Sequence, residues 1–123
     1  MLTDNTLCYL AEDAYPVTEA HSLVIPKRHV ADYFGLTQAE ISTTHRLLTL
    51  RKEHLEKTDK SISGFNIGIN SVKDSGQTIF HCHIHLIPRR NGDIKDLTGG
   101  VRHVIPEKVN DKNNEVLSER LSC

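Results

Sequence analysis

Eight residues, His81-Cys82-His83-Ile84-His85-Leu86-Ile87-Pro88, constrain this chain more than any other stretch. Histidine recurs at every second position, with Cys82, Ile84 and Leu86 between. Successive side chains of a strand point to opposite faces. A strand here carries His81, His83 and His85 on one face and Phe80, Cys82, Ile84 and Leu86 on the other. A helix turns about 100° per residue and would scatter the imidazoles around its surface. The expected element is a strand with a buried apolar back and an imidazole front.

Three uses of that front compete. A plain polar face would leave the imidazoles merely solvated. A metal site is limited by reach. At a rise of about 3.3 Å per residue, His81 and His85 lie roughly 13 Å apart, whereas zinc holds its nitrogens at about 2 Å. All three cannot serve one tetrahedral ion. The third use is nucleophilic catalysis by the central imidazole, with the outer two shaping its surroundings.

The chain has 123 residues and a formal charge of −1. That length suits one domain, 1–123, around a single core. The charge argues against nonspecific nucleic-acid binding, which needs a basic excess, but leaves room for a small anionic ligand. Residues 1–10 have neither a basic nor an apolar leader segment, so no signal peptide is expected. No apolar run approaches the roughly 20 residues of a membrane span. Cys8, Cys82 and Cys123 are far apart and form no CxxC, so no disulfide framework is expected. The expected location is the cytoplasm.

Leu7 to Ala11 suits a short strand. Ala20 to Pro26 is a β-branched run stopped by proline, which reads as a buried strand. Thr37 and Glu40 have the spacing of a capping box, opening a helix to about Lys57. Ile41, Leu48 and Leu55 form its stripe, widened by Thr44, Leu47 and Arg51, while His45 and His54 read as surface residues. Phe65, Ile67 and Ile69 alternate with Asn66, Gly68 and Asn70, a strand with a small, amide-bearing face. A short glycine-containing connection would pair it antiparallel with the histidine strand and bring Asn70 near the imidazoles. Val101 to Ile105, before Pro106, suits an edge strand. From Glu107 the sequence is polar and reads as a tail or short terminal helix. The core is expected over about 7–106.

These residues together resemble the histidine triad (HIT) family. Its His-x-His-x-His-plus-two-apolar signature is matched by His81 to Ile87. Its Gly-Gln-Ser/Thr lead-in is matched by Gly76-Gln77-Thr78, and the asparagine before it by Asn70. Its His-x-Leu-Val-Ile-Pro-Lys segment is matched by His21 to Lys27, with Asp13 at the family's spacing before it. The resemblance spans roughly 7–106. It implies an α+β fold, with a mainly antiparallel sheet of about five strands, one long helix, and a two-fold homodimer. It also implies hydrolysis or transfer at the α-phosphorus of a nucleotide through a nucleotidyl-histidine on His83. His81 and His85 would flank the nucleophile and His21 would lie near it. Asp13 would meet the ribose, and Asn70, Gly76, Gln77 and Thr78 the phosphates.

The residues suit that chemistry. One ring nitrogen attacks only if the other keeps its proton, pinned by an acceptor such as a carbonyl. Attack at phosphorus builds charge on nonbridging oxygens, which needs fixed donors; Thr78, Gln77 and amides at Gly76 can serve. His85 and His21 are candidates for stabilising the leaving group. No cofactor is required, although a divalent metal could accompany the substrate.

Departures from the family pattern refine the reading. Relatives that hold a structural zinc use a CxxC and two histidines. Here Cys8, with Asn5 three residues earlier, stands alone beside the matching His29 and His81, so no zinc is expected. His85 stands where transferase relatives have glutamine, which favours hydrolysis. Pro88-Arg89-Arg90, and Gly99 to Pro106, resemble the dinucleoside-polyphosphate hydrolase branch, and Arg89, Arg90 and Arg102 could attract extra phosphates. The expected function is hydrolysis of a dinucleoside polyphosphate. The alternatives are a purine nucleoside phosphoramidase and a nucleotide-sensing binding protein with incidental turnover.

Overall fold

The computed structural model describes residues 3–4, 6–109 and 121. They fall into two compact units, Met1–Asp93 and Ile94–Cys123. The first unit is α+β. Its strands are β1 (Thr3–Asp4), β2 (Cys8–Glu12), β3 (Ser22–Pro26), β4 (Ile62–Gly68) and β5 (Ile84–Arg90), with one long helix, α1 (Gln38–Thr58). They form one antiparallel sheet in the order β1-β2-β3-β5-β4. The histidine-bearing strand therefore lies between β3 and β4, and β4 is an edge.

The back of the sheet is the core. Cys8, Leu10, Val24, Cys82 and Ile84 pack there with Val30 and with Leu47 of α1. Thr37 caps α1: its hydroxyl accepts from Glu40 N at 3.1 Å, and Glu40 Oε1 accepts from Thr37 N at 2.8 Å. The buried stripe of α1 is Glu40, Thr44, Leu47, Arg51 and Leu55. It is centred one residue away from the expected Ile41 and Leu48, which are half-buried. Arg51 reaches the sheet, donating to Ser22 Oγ at 3.0 Å. His45 and His54 are exposed. No helix among the described residues is long and apolar enough to cross a membrane.

Several sequence expectations need correction. The alternation of burial does run from His81 to Pro88, but regular pairing starts only at Ile84. Before that, Cys82 N donates to Val30 O at 2.6 Å, outside the ladder. Phe80 is 55% exposed rather than part of the apolar back. β4 and β5 do pair antiparallel, but the connection between them is residues 69–83, which contain a 3-10 turn at Lys73–Ser75. Asn70 lies in that connection, beyond the end of β4, and is exposed.

In the second unit the expected edge strand at 101–105 is a 3-10 helix, Gly100–Val104. Gly99 and Gly100 have φ of +90° and +49°, which curl the chain instead of extending it. Gly99 is also required sterically, since a Cβ there would lie 2.5 Å from Val109 Cγ1. The Arg102 guanidinium closes the turn on Lys108 O at 2.9 Å. The expected terminal tail or helix lies, for 110–120, outside the described residues.

Glu40 is nearly inaccessible, yet it receives two bonds from Arg28, at 2.8 and 3.2 Å. These, with the Thr37 amide, hold its carboxyl at about 2 instead of the usual 4.5. A depressed carboxylate contributes stability above its unfolded value and loses it as pH falls through its folded value. Glu40→Gln should therefore destabilise by about 1.5–3 kcal/mol at neutral pH. The gap to wild type in chemical denaturation should begin to narrow below about pH 4.5 and close near pH 2; a gap independent of pH would refute the charge assignment.

Candidate active site

The long helix α1 packs on the core side of the sheet through Leu47, and the imidazoles lie on the other face. Leu23 and Ile25 of β3 stand beside Tyr9 of β2, because Tyr9 pairs with Ile25 and Ala11 with Leu23. With Asp13, Ile79, His81 and His83 they line a cleft of about 260 Å³. Sequence reasoning named Asp13, His81 and His83 but missed Tyr9, Leu23, Ile25 and Ile79. The missing signal was the β2–β3 register, which puts alternate residues of both strands on the imidazole side.

Asp13 and His21 meet through a backbone reversal. Ala20 takes φ +71°, His21 N bonds Thr18 O at 3.1 Å, and Asp13 N bonds His21 O at 2.9 Å. That turn also brings Val17 N to His21 Nδ1, at 3.1 Å. A peptide N–H can only donate, so His21 Nδ1 carries the lone pair and His21 Nε2 carries the proton. His21 Nε2 lies 2.9 Å from His85 Nδ1 and 3.4 Å from Asp13 Oδ2. His85 Nδ1 is therefore an acceptor, and the His85 proton sits on Nε2. Burial pushes both His21 and His85 below the ordinary imidazole range, against the opposing pull of Asp13. The neighbouring His83 and His21 lower His85 further.

His83 is set the other way. Its Nδ1 lies 2.8 Å from the carbonyl of His81, which can only accept, so the neutral ring holds its proton on Nδ1 and presents Nε2 as a lone pair. Its ring is edge-on to His85, with centroids 5.1 Å apart. His81 donates from Nε2 to Pro26 O at 2.8 Å, and its Nδ1 is 3.3 Å from His29 Nδ1. A nucleophilic lone pair on His83 and a donor N–H on His85 thus sit side by side.

Of the expected phosphate contacts, Gln77 is placed differently. It is buried, and its amide is fully engaged: Oε1 accepts from Val72 N at 2.7 Å, and Nε2 donates to Ala31 O and Ile79 O at 2.7 and 3.1 Å. Only its backbone remains for a ligand. Gly76 has φ +99°, and a Cβ there would lie 4.0 Å from Asn70 Nδ2. Asn70, Gly76 and Thr78 are exposed on this connection, and none of them lines the histidine cleft. The arginines are also committed. Arg89 grips Asp93 with bonds of 2.7 and 2.8 Å, and Arg90 holds Asp59 at 2.9 Å. They brace β5 instead of waiting for phosphates.

Two metal sets can be tested. Asp13, His21 and His85 bring their donor atoms within 4.8 Å of one another. A ligating histidine donates from its other nitrogen, whereas His21 accepts there from Val17, so its Nε2 lone pair is already spent on a proton. The cysteine–histidine set fares no better. Cys8 faces the core, fully buried, with its Sγ 3.9 Å from Thr44 Oγ1 and its thiol pushed up by burial. Asn5 lies outside the described residues.

The tautomer pattern is directly measurable. Long-range 1H–15N spectra near neutral pH should show Nε2–H for His21, His85 and His81 and Nδ1–H for His83. His21 as the Nδ1–H form would overturn the arrangement.

Comparison with known proteins places this geometry. Residues 1–92 match the HIT domain family model. Over 81 residues the chain is 37% identical to the asymmetrical bis(5'-nucleosyl)-tetraphosphatase of Schizosaccharomyces pombe, covering 66% of this chain and 44% of that one. It is 41% identical over 81 residues to the nitrilase and fragile histidine triad fusion protein NitFhit of Caenorhabditis elegans, covering 66% of this chain and 18% of that one. The crystal structure of a zinc-bound histidine triad family protein from Mycobacterium smegmatis superposes with a TM-score of 0.70 at 30% identity, over 78% of this chain and 69% of that one. The chain thus spans less than two thirds of these curated relatives' length, but the match extends through the whole imidazole cluster: this protein belongs to the HIT domain family.

Proposed function

We propose that this protein is a nucleotide hydrolase that cleaves a dinucleoside polyphosphate at an α-phosphorus through a nucleotidyl-histidine on His83. The observation that carries the reading is the opposite protonation of two adjacent imidazoles. His83 offers Nε2 as a nucleophile, and His85 offers an N–H donor whose other nitrogen is held by His21. The similarity to a bis(5'-nucleosyl)-tetraphosphatase supports the substrate class.

In the first step His83 Nε2 bonds the α-phosphorus and the P–O bond to the leaving phosphate breaks, with its electron pair going to that oxygen. His85 Nε2–H stabilises the departing oxygen. In the second step water attacks the same phosphorus from the opposite side and the N–P bond breaks. His83 returns as a neutral imidazole while the water proton passes to solvent. Asp13 lines the cleft and is assigned to the ribose.

The state of His85 favours polyphosphate over phosphoramidate. A neutral imidazole donates a hydrogen bond but does not give up its last proton. A polyphosphate leaves as an anion at neutral pH, the second phosphate pKa being about 6. An amine leaving group must be fully protonated. His85, neutral by burial and by its neighbours, suits the first.

The protein is further assigned as a homodimer, joined through the edge strand β4, where Ile67 is 54% exposed. Ile67→Lys should shift the sedimenting species from dimer to monomer; a dimer that persists would move the interface elsewhere.

The chemistry is tested by rapid-quench intact mass spectrometry with diadenosine tetraphosphate. Wild type should show a transient adenylyl adduct. His83→Ala should show none and should lose at least about 10³-fold in kcat while keeping nucleotide affinity within about threefold. Retained turnover in that variant would remove His83 as the nucleophile.

A further inference from the structure

A dinucleoside polyphosphate has two bases, and the histidine cleft accounts for one. We propose that the cleft lined by Tyr33, Phe34, Ile69, Ser71 and Ser75, about 330 Å³ in volume, is a second nucleobase subsite. It would take the distal base of a dinucleoside polyphosphate whose scissile phosphorus lies at His83. This rests on reading the histidine cleft as a nucleotide site.

The first support is the aromatic platform. Phe34 is 82% exposed, and Tyr33 meets it edge-to-face at 5.4 Å and 85°. One ring buttresses the other and leaves a face open, the arrangement on which bases stack regardless of sequence. The platform is fixed in advance. Asp32 Oδ1 accepts from Phe34 N at 2.9 Å, and Arg28 donates to Gly35 O at 2.8 Å. Gly35 has no room for a side chain, since a Cβ would lie 2.9 Å from Val30 Cγ1. A large apolar ring held rigidly in water is costly unless something covers it.

The second support is continuity with the imidazoles. His81, a wall of the histidine cleft, lies 3.3 Å from His29, and His29 leads in four residues to Tyr33. Gln77 makes the second tie. Its one amide nitrogen bonds both Ala31 O, just before the platform, and Ile79 O, in the wall of the histidine cleft. Its oxygen holds Val72, at a φ of +70° that a β-branched residue rarely takes. The two clefts thus flank one braced segment. The exposed His29 stands along that route, and the exposed Lys73, with Asp74 beside it, lies on the turn. The Ser75 hydroxyl donates to Val72 O at 2.7 Å, which leaves its lone pairs for a base N–H.

The test compares the dissociation constants of diadenosine tetraphosphate and ATP, which carry comparable charge but differ by one adenylyl unit, an adenosine with its phosphate. Binding is read by calorimetry on His83→Ala protein, which does not turn over. Diadenosine tetraphosphate should bind about tenfold more tightly than ATP, in line with one stacked base. Adding Phe34→Ala should erase that difference and leave ATP unchanged; adding Phe34→Trp should retain it. Equal constants for the two nucleotides, or a Phe34→Ala loss shared by both, would overturn the subsite alone. A protein that binds neither nucleotide would overturn the histidine-cleft reading, and the subsite with it.

Discussion

The chemistry of the cluster depends on one peptide N–H. Val17 donates it to His21 Nδ1, and every other proton in the row follows: Nε2 on His21, a lone pair on His85 Nδ1, and Nε2–H on His85. A carbonyl at the same place would reverse the row, making His21 Nε2 the acceptor and His85 Nδ1 the donor. The segment between Asp13 and His21 therefore does more than connect two strands. Its left-handed Ala20 turns the chain so that Val17 and Asp13 approach the same ring from different sides. His83 obtains the opposite tautomer from the carbonyl of His81, two residues back. Two neighbouring imidazoles are thus given opposite tautomers, His83 by a backbone carbonyl and His85 through the His21 ring.

What the sequence revealed was whatever depends on local periodicity. Alternation placed Cys82, Ile84 and Leu86 against the core and the three histidines opposite. The Thr37–Glu40 spacing fixed the start of α1. Periodicity does not say where strand pairing begins, so Phe80 was carried onto a back face that ends at Cys82, whose amide turns aside to Val30. Nor does it reveal positive φ: Val101 to Ile105 has strand composition, but Gly99 and Gly100 wind it into a 3-10 helix. The contact of His21 with His85 depends on the β3–β5 register, in which Leu23 lies opposite His85. Motif matching gathered these residues without saying which atoms meet.

Charge was the least legible property. Arg89 and Arg90 read as a supply of cations for an anionic ligand, yet each has a carboxylate partner, Asp93 and Asp59 respectively. Their acids carry the other half of that information, far away in sequence for Arg90 and Asp59. The Gln77 side chain is committed in the same way. An amide is a ligand donor only if the fold leaves it unsatisfied, and this one is saturated by three backbone groups.

On the hydrolase reading proposed above, phosphate would meet dipoles more than fixed charge. A guanidinium beside the phosphorus would attract the ground-state anion and the transition state alike, and uniform binding of that kind does not lower the barrier between them. Neutral N–H donors held in place act most where charge grows, on the departing oxygen. Burial disfavours the charged forms of His21 and His85, which in the proposed mechanism suits leaving groups that depart as anions. In that mechanism the desolvation that governs their protonation also governs which leaving groups they assist.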